Sequence, residues 1–376
     1  MTMANAKYKD FIAMPKIFPD HGTGIVAGRD SFCYSFSPGE MYKRIKDFAS
    51  MDPEDARIKF ELYGDTHDWA VSKARQGVLE THTDPRLITP ILYRPFDVRY
   101  TYYYPKSRRF LCMPRPAISK HMMFENMALV TMAQVPNGDF NHALISECMV
   151  DAKLGTASKG ICYIFPLYLY EKGTLKKNQF PTPNLGILFL SLMKQEFGYP
   201  EIPTPEQLLH YVYAILFSQT YRNRYKEELM YNFPSIPFPR NYDLFIRIGE
   251  LGEKLKLIHL LRSPEINGEE VQFSGTPIKI GQFQFIGSKN HEGKIYLDER
   301  RQSYFTGIEK KEWDYKLMGY KVIDKYLRSR SGLDLTADNI SHLQCMISAI
   351  RLTMKYQRLI DDLYPEIETD LLVISR

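Results

Sequence analysis

The chain has 376 residues, of which 44% are hydrophobic and 25% are charged, and its formal net charge is +5 at pH 7. These proportions are typical of a globular protein and exclude an intrinsically disordered chain. This net charge is too small to indicate an anionic partner by itself. A nucleic-acid or membrane-surface partner therefore has to be inferred from local clusters of charge.

The sequence shows no clear membrane span, signal peptide or cysteine motif. The longest apolar run, residues 185–193, is shorter than the roughly 18 residues that a membrane-spanning helix requires. The amino terminus lacks the apolar core of a signal peptide. The five cysteines are scattered without metal-ligand spacing. We therefore expect a cytoplasmic protein with reduced thiols.

The first half of the chain, residues 1–200, is rich in Pro, Gly, Tyr and Phe. Runs such as "NMALVTMAQV" and "GICYIFPLYLY" are typical of short strands joined by turns. Apolar periodicity predicts helices at 39–49 and at 65–80, the second opened by an Asp or Thr cap. This half is therefore predicted to be mixed and β-rich.

The second half, residues 201–376, is dominated by helical periodicity. Thr204, Pro205 and Gln207 form a capping box with an N-terminal proline, which predicts the start of a long helix at 205–230. A matching apolar stripe at 241–261 predicts the second arm of a helical hairpin.

Later patterns complete the fold class. Helical periodicity returns at about 319–330 and 336–362, and period-two alternation predicts a small antiparallel sheet at about 270–306. We therefore predict an α+β fold with two domains. Residues 1–200 are the mixed, β-rich domain, and residues 201–376 are a helical supporting domain that carries the small sheet.

Motifs for catalysis are weak. "DHGTG", residues 20–24, matches the Gly-rich loop that methyltransferases place near S-adenosylmethionine, but two prolines and no clean apolar strand precede it, so we interpret it as a turn. The methyltransferase tetrad Asn-Pro-Pro-aromatic, a P-loop, an HExxH pair and a GxSxG elbow are all missing. Glu292, Lys294 and Asp298 only weakly resemble a metal nuclease site.

A basic and aromatic cluster is the strongest functional feature. Residues 86–124, named here the aromatic–basic stretch, contain eight Lys or Arg and one acid, Asp97, a local balance of +7. Arginine binds phosphates and guanine edges in a bidentate manner, and tyrosine rings can stack on bases. The pattern predicts nucleic-acid contact through phosphate-binding cations, which are Arg94, Arg99, Lys106, Arg108, Arg109, Arg115 and Lys120.

An alternative interpretation is a solvated surface over structural tyrosines, in which Asp97 pairs with Arg94 or Arg99 inside the fold. Two weaker candidates lie elsewhere. Lys153 and Lys159 belong to a Gly-rich loop, and residues 325–332, "KYLRSRSG", form a third basic patch that is equally typical of a solvated helix end.

The chain also resembles a known family. "YRPFDVRYTYY" at 93–103 and "MPRPAISKHMMFEN" at 113–126 are similar to blocks in the C-terminal target-recognition (specificity) region of type ISP restriction-modification enzymes and associated adenine-specific DNA methyltransferases. The similarity continues in collinear order at 163–173, 208–241 and 319–336. It covers most of the chain.

This resemblance implies sequence-specific recognition of double-stranded DNA by the specificity module of a restriction-modification enzyme. Its partners would be methyltransferase and motor domains of the same polypeptide or complex. S-adenosylmethionine, ATP and Mg²⁺ are expected only in those other parts, so we expect no cofactor and no metal in this chain and no catalysis by it alone. The abrupt start favours an excised fragment over a free-standing specificity protein.

Two alternatives stay open at this point. The chain could be a compact DNA methyltransferase or nuclease with degenerate motifs, which binding of S-adenosylmethionine would support. It could instead be a protein-docking module of a restriction complex, and then its binding would be insensitive to salt, because phosphate contacts release counterions.

Overall fold

The computed structural model describes residues 7–136, 138–156, 160–170, 180–276, 278–288 and 291–373. The α-helices in chain order are α1 (Met14–Ile17), α2 (Asp30–Cys33), α3 (Pro38–Ser50), α4 (Pro53–Lys59), α5 (Val71–Glu80), α6 (Pro116–Ser119), α7 (Ile187–Gln195), α8 (Pro205–Phe217), α9 (Gln219–Arg224), α10 (Lys226–Leu229), α11 (Tyr242–His259), α12 (Lys310–Trp313), α13 (Val322–Arg328) and α14 (Ala337–Thr369). Short 3₁₀ turns lie at Pro85–Leu87, Lys120–Met123 and Gly268–Glu270.

The strands are short. In chain order they are β1 (Ile12–Ala13), β2 (Gly22–Thr23), β3 (Ile88–Arg94), β4 (Asp97–Tyr102), β5 (Ala128–Met132), β6 (Ala143–Ser146), β7 (Met149–Val150), β8 (Cys162–Pro166), β9 (Tyr168–Leu169), β10 (Thr182–Pro183), β11 (Ser235–Ile236), β12 (Gln272–Ser274), β13 (Gln284–Ser288), β14 (His291–Tyr296), β15 (Tyr304–Ile308), β16 (Lys316–Leu317) and β17 (Tyr320–Lys321).

Two sheets build most of the first half. One is antiparallel with strand order β2-β8-β5-β6, and the other has order β4-β3-β7, in which β3 pairs antiparallel with β4 and parallel with β7. Strand β5 is buried along its whole length, which its run of Ala, Leu, Val and Met explains. The α+β class, with a β-rich first half, is confirmed.

Helix α3 confirms the prediction at 39–49. The Ser37 hydroxyl accepts a hydrogen bond from the Glu40 amide at 3.1 Å, and Pro38 stands at the first helical position. Met41, Ile45 and Phe48 are buried on the stripe that the sequence pattern indicates. The helix therefore lays this stripe against the core.

The helix predicted at 65–80 begins later, at Val71. Thr66 and Trp69 close a turn instead, because the Trp69 amide donates to the Thr66 hydroxyl at 3.0 Å. The Asp65 carboxylate pairs with Arg57 at 2.9 Å. Local side-chain bonds of this kind compete with helix formation, which the apolar pattern alone does not reveal.

The single helix predicted at 205–230 is wrong, because the chain breaks it into α8, α9 and α10. The predicted capping box of Thr204 and Gln207 is present at its start. At Ser218 the backbone becomes extended, and the Ser218 hydroxyl donates to Asp361 at 2.7 Å and accepts from the Tyr221 amide at 3.1 Å. The break therefore depends on a partner that lies far away in the sequence.

The predicted helical hairpin is confirmed, since α11 packs along α8. Gly252 permits this approach, because a Cβ atom there would overlap the carbonyl of His210. Helix α14 extends beyond the predicted 336–362 to Thr369 and contains Pro365. The helix predicted at 319–330 is shorter, because α13 covers only Val322–Arg328.

The small antiparallel sheet is confirmed, with order β12-β15-β14-β13. One face is buried through Ile295, Phe305 and Ile308. Phe285 stacks on Trp313 of α12 with ring centroids 5.3 Å apart, and Gln344 of α14 donates to the Val271 carbonyl at 2.6 Å. Helices therefore cover one face of this sheet.

The Gly-rich residues 20–24 form an extended segment and not the expected turn. Gly22 and Thr23 make β2, which pairs with β8. A Cβ atom on Gly24 would lie 2.7 Å from the backbone nitrogen of Ala152, so glycine lets two backbones approach each other.

Contacts join the two halves. Strand β1 pairs with β11, and Asp97 forms an ion pair with Arg330 at 2.9 Å. Residues from both halves belong to one hydrophobic core. The division into residues 1–200 and 201–376 stays a prediction. Over the described ranges, no helix is both long and apolar enough to cross a bilayer.

Candidate nucleic-acid interface

The aromatic–basic stretch begins with the β3–β4 hairpin. Pro95 and Phe96 connect the strands, and Phe96 has a positive φ of 60°. Its carbonyl accepts a hydrogen bond from the His342 ring at 2.8 Å, so α14 holds the turn. The parallel pairing of β3 with β7 then brings Asp151, which follows β7, beside Arg94 at the end of β3.

Arg94 lies inside the fold and is only 5% exposed. Its guanidinium donates to Asp151 at 2.9 Å, and the Tyr34 hydroxyl donates to the same carboxylate at 2.6 Å. Burial raises the pKa of Asp151 even though Arg94 and Tyr34 act in the opposite direction. The alternative interpretation allowed Asp97 to hold Arg94, but the carboxylate that accepts from Arg94 is Asp151.

Asp97 instead lies between two other arginines. Arg99 and Arg330 each approach its carboxylate to 2.9 Å. Burial raises the pKa of Asp97, but the two guanidinium groups outweigh that effect, so the pKa is lowered overall. Of the two pairings that the alternative interpretation left open, the structure therefore has Asp97 with Arg99 inside the fold.

Aromatic rings sandwich these cations. The Arg99 guanidinium lies 4.0 Å from the Tyr93 ring centroid and 4.5 Å from that of Phe36. Arg330 lies 3.7 Å from the Tyr326 ring centroid. Rings and guanidinium groups thus form one column across the two halves.

This burial corrects two of the predicted phosphate contacts. Arg94 and Arg99 are 5% and 9% exposed and are paired with buried carboxylates. Removing one partner of such a pair costs about 3–5 kcal/mol. Contact of Arg94 or Arg99 with a phosphate would break these pairs, so both arginines are structural.

Lys106, Arg108 and Arg109 lie nearer the surface. Glu80 accepts hydrogen bonds from the Tyr104 hydroxyl at 2.9 Å, from Lys106 at 3.1 Å and from Arg109 at 3.5 Å. The Tyr104 and Lys106 bonds lower the pKa of Glu80. Exposed pairs of this kind are weak because solvent screens them, so Lys106 can exchange Glu80 for a phosphate at little cost.

Arg108 is similar, because its contact with Asp68 is loose at 3.6 Å and both side chains are about half exposed. The loop around it is rigidly held. The Arg108 amide donates to the Cys112 carbonyl at 2.8 Å, and the Trp69 indole donates to the Phe110 carbonyl at 3.0 Å. The backbone is thus preorganised while the Arg108 side chain stays accessible.

Arg115 and Lys120 flank α6 and are partly exposed. Within the described parts of the chain, neither forms an ion pair. Lys153 is exposed next to Asp151, and its amide donates to that carboxylate at 2.8 Å. Lys159 lies outside the described residues. Arg115, Lys120 and Lys153 therefore stay predicted phosphate contacts, together with Lys106, Arg108 and the less exposed Arg109.

The third basic patch, 325–332, presents little free charge. Lys325 lies 5.2 Å from the Tyr320 ring centroid, Arg328 pairs with Asp324 at 2.7 Å, and Arg330 is the buried partner of Asp97.

A surface that the sequence reasoning did not assign lies on the small sheet. Its solvent-facing side carries Lys294, whose amine lies 4.5 Å from the Tyr304 ring centroid, and Arg301, whose guanidinium lies 5.3 Å from that of Tyr296. In the described ranges neither cation has a carboxylate partner. The alternation of period two predicted this sheet, but it did not identify which face of the sheet stays uncovered.

Among the described residues, no three His, Cys, Asp or Glu side chains are grouped so as to hold a metal ion. A cavity of about 930 Å³ lies between the β3–β4 hairpin and the carboxy-terminal helices, lined in part by Phe96, Asp97, Tyr326, Arg330 and His342. In its lining, Asp97 and Arg330 belong to the buried pair described above. Glu147 and Arg262 form a separate and more exposed ion pair there.

Residues 16–359 match the model of the Type ISP C-terminal specificity domain. The chain belongs to this family. A search of curated proteins with this chain finds no match.

Solved structures share the fold of this specificity domain. They are a nuclease-deletion mutant of the Type ISP restriction-modification enzyme LlaGI in complex with a DNA substrate mimic (TM-score 0.63, 18% identity), the ATP-dependent Type ISP enzyme LlaBIII bound to DNA (0.65, 19%) and a DrdV–DNA complex (0.66, 18%). Each similarity covers 95% of this chain but only 34%, 24% and 38% of the respective neighbour.

Proposed function

We propose that this chain recognises double-stranded DNA in a sequence-specific manner, as the specificity module of a restriction-modification enzyme. The observation that carries the proposal is the family match over residues 16–359. It is supported by the shared fold with three proteins whose structures contain DNA or a DNA substrate mimic.

The burial of each cation indicates whether it supports the fold or contacts DNA. The buried pairs of Arg94 with Asp151 and of Arg99 with Asp97 hold the hairpin and its loop in place. The surface cations bind phosphates and set the register of the protein on the duplex, while polar side chains read base edges. The phosphate-binding set is Lys106, Arg108, Arg109, Arg115, Lys120 and Lys153.

The chain acts in the cytoplasm beside methyltransferase and motor domains, in the same polypeptide or complex. S-adenosylmethionine, ATP and Mg²⁺ serve those parts. Clamping the duplex here positions it so that the methyltransferase can flip an adenine into its own pocket.

A salt-dependent binding titration tests the proposal. The purified chain is titrated against random-sequence duplex DNA by fluorescence anisotropy, at low and at near-physiological salt. Each phosphate contact adds about 0.9 to the slope of log K against log salt concentration. We expect salt-sensitive binding, and a slope lower by about three in the variant Arg108→Gln/Arg115→Gln/Lys120→Gln.

The control removes three exposed cations from helices that do not belong to the aromatic–basic stretch: Arg247→Gln/Lys254→Gln/Arg358→Gln. None of these three makes an ion pair in the described residues. We expect this control to bind as the unchanged chain does. A chain that fails to bind duplex DNA even at low salt would contradict the proposed function.

A further inference from the structure

The outward face of the small sheet is defined by strand register. Gln284 faces Tyr296 across β13 and β14, Ile286 faces Lys294, and Tyr296 faces Tyr304 across β14 and β15. Directly paired residues of an antiparallel sheet point to the same side. These side chains therefore share one face, which is opposite to the buried Ile295 and Phe305.

This face combines hydrogen-bonding groups with cations and has little negative charge. In the β14–β15 loop, Asp298 accepts hydrogen bonds from the amides of Gln302 and Ser303 at 3.2 and 3.0 Å, so its carboxylate is committed to the turn, whereas Glu299 beside it is exposed. Glu292 lies in the irregular part of β14, where the register shifts. Lys294 and Arg301 rest on tyrosine rings without carboxylate partners in the described chain, so their charges are available to an anionic partner.

The width of the sheet determines how much of it can enter a groove of the DNA. Strands lie about 4.8 Å apart, so the four backbones span roughly 14 Å. The DNA major groove is about 12 Å wide and admits a two-stranded ribbon but not this full sheet. Because β13 is an edge strand, the β13–β14 pair is the ribbon that can enter the groove.

The side chains on that ribbon match base edges. Gln284 and Ile286 are both exposed. Glutamine can bond adenine in a bidentate manner, lysine can bond guanine, and an aliphatic group can contact the thymine methyl. Gln284, Lys294 and Ile286 offer these three chemistries within one strand pair. The Arg301 guanidinium donates to the Gln284 side-chain oxygen at 3.5 Å, and Tyr304 lies on β15, one strand further from the sheet edge than β14.

We propose that the β13–β14 ribbon inserts into the DNA major groove, with Gln284 and Lys294 as base-reading residues and Arg301 and Tyr304 at phosphates. The inference rests on the proposed function and names a second contact surface for it. The ribbon contributes sequence preference, whereas the aromatic–basic stretch contributes affinity that is independent of sequence.

Two variants of the full chain test the inference. Lys294→Gln/Arg301→Gln removes two cations, of which Arg301 is the phosphate contact, so we expect the salt slope for random-sequence duplex to fall by about one. Gln284→Ala removes one base contact. We expect it to lower the discrimination between a duplex selected by the unchanged chain and a scrambled duplex by about tenfold. Arg247→Gln/Lys254→Gln is the charge-matched control, and thermal unfolding verifies that each variant is folded.

The outcomes separate the two proposals. If the unchanged chain binds DNA but both sheet variants behave like the control, the inference is wrong and the proposed function stands. If the slope falls but discrimination is retained, insertion into the groove is wrong, because the sheet then touches only phosphates. If the unchanged chain does not bind duplex DNA, the proposed function is wrong and the inference is wrong with it.

Discussion

The aromatic–basic stretch and the small sheet use similar residues in different ways. In the stretch, Arg94 and Arg99 lie against Tyr93 but are buried and bound to carboxylates. On the sheet, Lys294 and Arg301 lie against tyrosine rings at the surface, without carboxylate partners in the described residues. A cation next to an aromatic ring is therefore not by itself a binding site, because burial and counter-charge decide what it can reach.

The largest expected effect is on Asp97, the shared counter-charge of Arg99 and Arg330. Asp97→Asn leaves two buried guanidinium groups without a negative partner, so we expect the free energy of unfolding to fall by about 3–5 kcal/mol. Urea denaturation measures this loss. The control Asp334→Asn changes an exposed acid and should stay within about 0.5 kcal/mol. A loss of similar size in both variants would contradict the assignment.

The same pair predicts a pH dependence. Because Arg330 and Arg99 lower the pKa of Asp97 in the folded protein, its contribution is present above the ordinary carboxyl pKa of about 4 and is lost as pH falls through the lowered value. The difference in unfolding free energy between the unchanged chain and Asp97→Asn should therefore shrink on acidification. A difference that stays constant from neutral to strongly acidic pH would show that the charge of Asp97 is unimportant.

Arg94→Met tests whether a buried arginine acts only through the fold. Methionine retains much of the volume but leaves Asp151 without its closest cation, so we expect a loss of about 3 kcal/mol in unfolding free energy. At a temperature where the variant remains folded, the salt slope for duplex DNA should equal that of the unchanged chain. A slope lower by about one would instead place Arg94 on a phosphate.

One tyrosine from each region allows the same comparison of buried and exposed side chains, with smaller expected losses of stability. Tyr102 is fully buried and its hydroxyl lies 2.6 Å from that of Thr81, whereas Tyr304 is partly exposed on the sheet. We expect Tyr102→Phe to cost about 0.5–1.5 kcal/mol of unfolding free energy and Tyr304→Phe to cost less than about 0.5 kcal/mol. Thermal or urea unfolding of both variants gives the answer, and equal losses would contradict the burial difference.

The smallest effect is expected at Glu80, which holds Lys106 and Arg109 at the surface. Glu80→Gln removes a negative charge beside the predicted phosphate contacts, so duplex DNA should bind a few-fold more tightly at low salt. Anisotropy titration measures this gain, which should vanish at high salt. The control Glu250→Gln on α11 should not strengthen binding. Unchanged affinity for Glu80→Gln would move the DNA away from Lys106.

Local patterns were reliable where the determining contacts are local. The stripe of Met41, Ile45 and Phe48 and the capping box at Thr204 and Gln207 lie where the spacing predicts them. The break at Ser218 was not predictable, because it depends on Asp361, 143 residues away. The late start of α5 escaped prediction for a different reason: local bonds of Thr66 and Asp65 compete with an otherwise helical pattern.

The candidate site divides in the same way. Composition located the aromatic–basic stretch and proposed that Asp97 pairs with an arginine there, but it could not identify the partner of Arg94. That partner is Asp151, 57 residues away, and only the parallel pairing of β3 with β7 brings the two together. Period-two alternation located the small sheet but not the face that is left uncovered.

The sequence by itself therefore determined the α+β class, the family resemblance and the identity of the cationic segments, because these depend on periodicity and composition. Only the tertiary structure decided which cations are counter-charged and buried and which face solvent. Ion pairing and exposure are properties of side chains brought together by strand pairing and helix packing across large separations in sequence. Two arginines of the aromatic–basic stretch show this difference. Arg99 is bound to Asp97 in the core, whereas Arg108 is about half exposed beside Asp68.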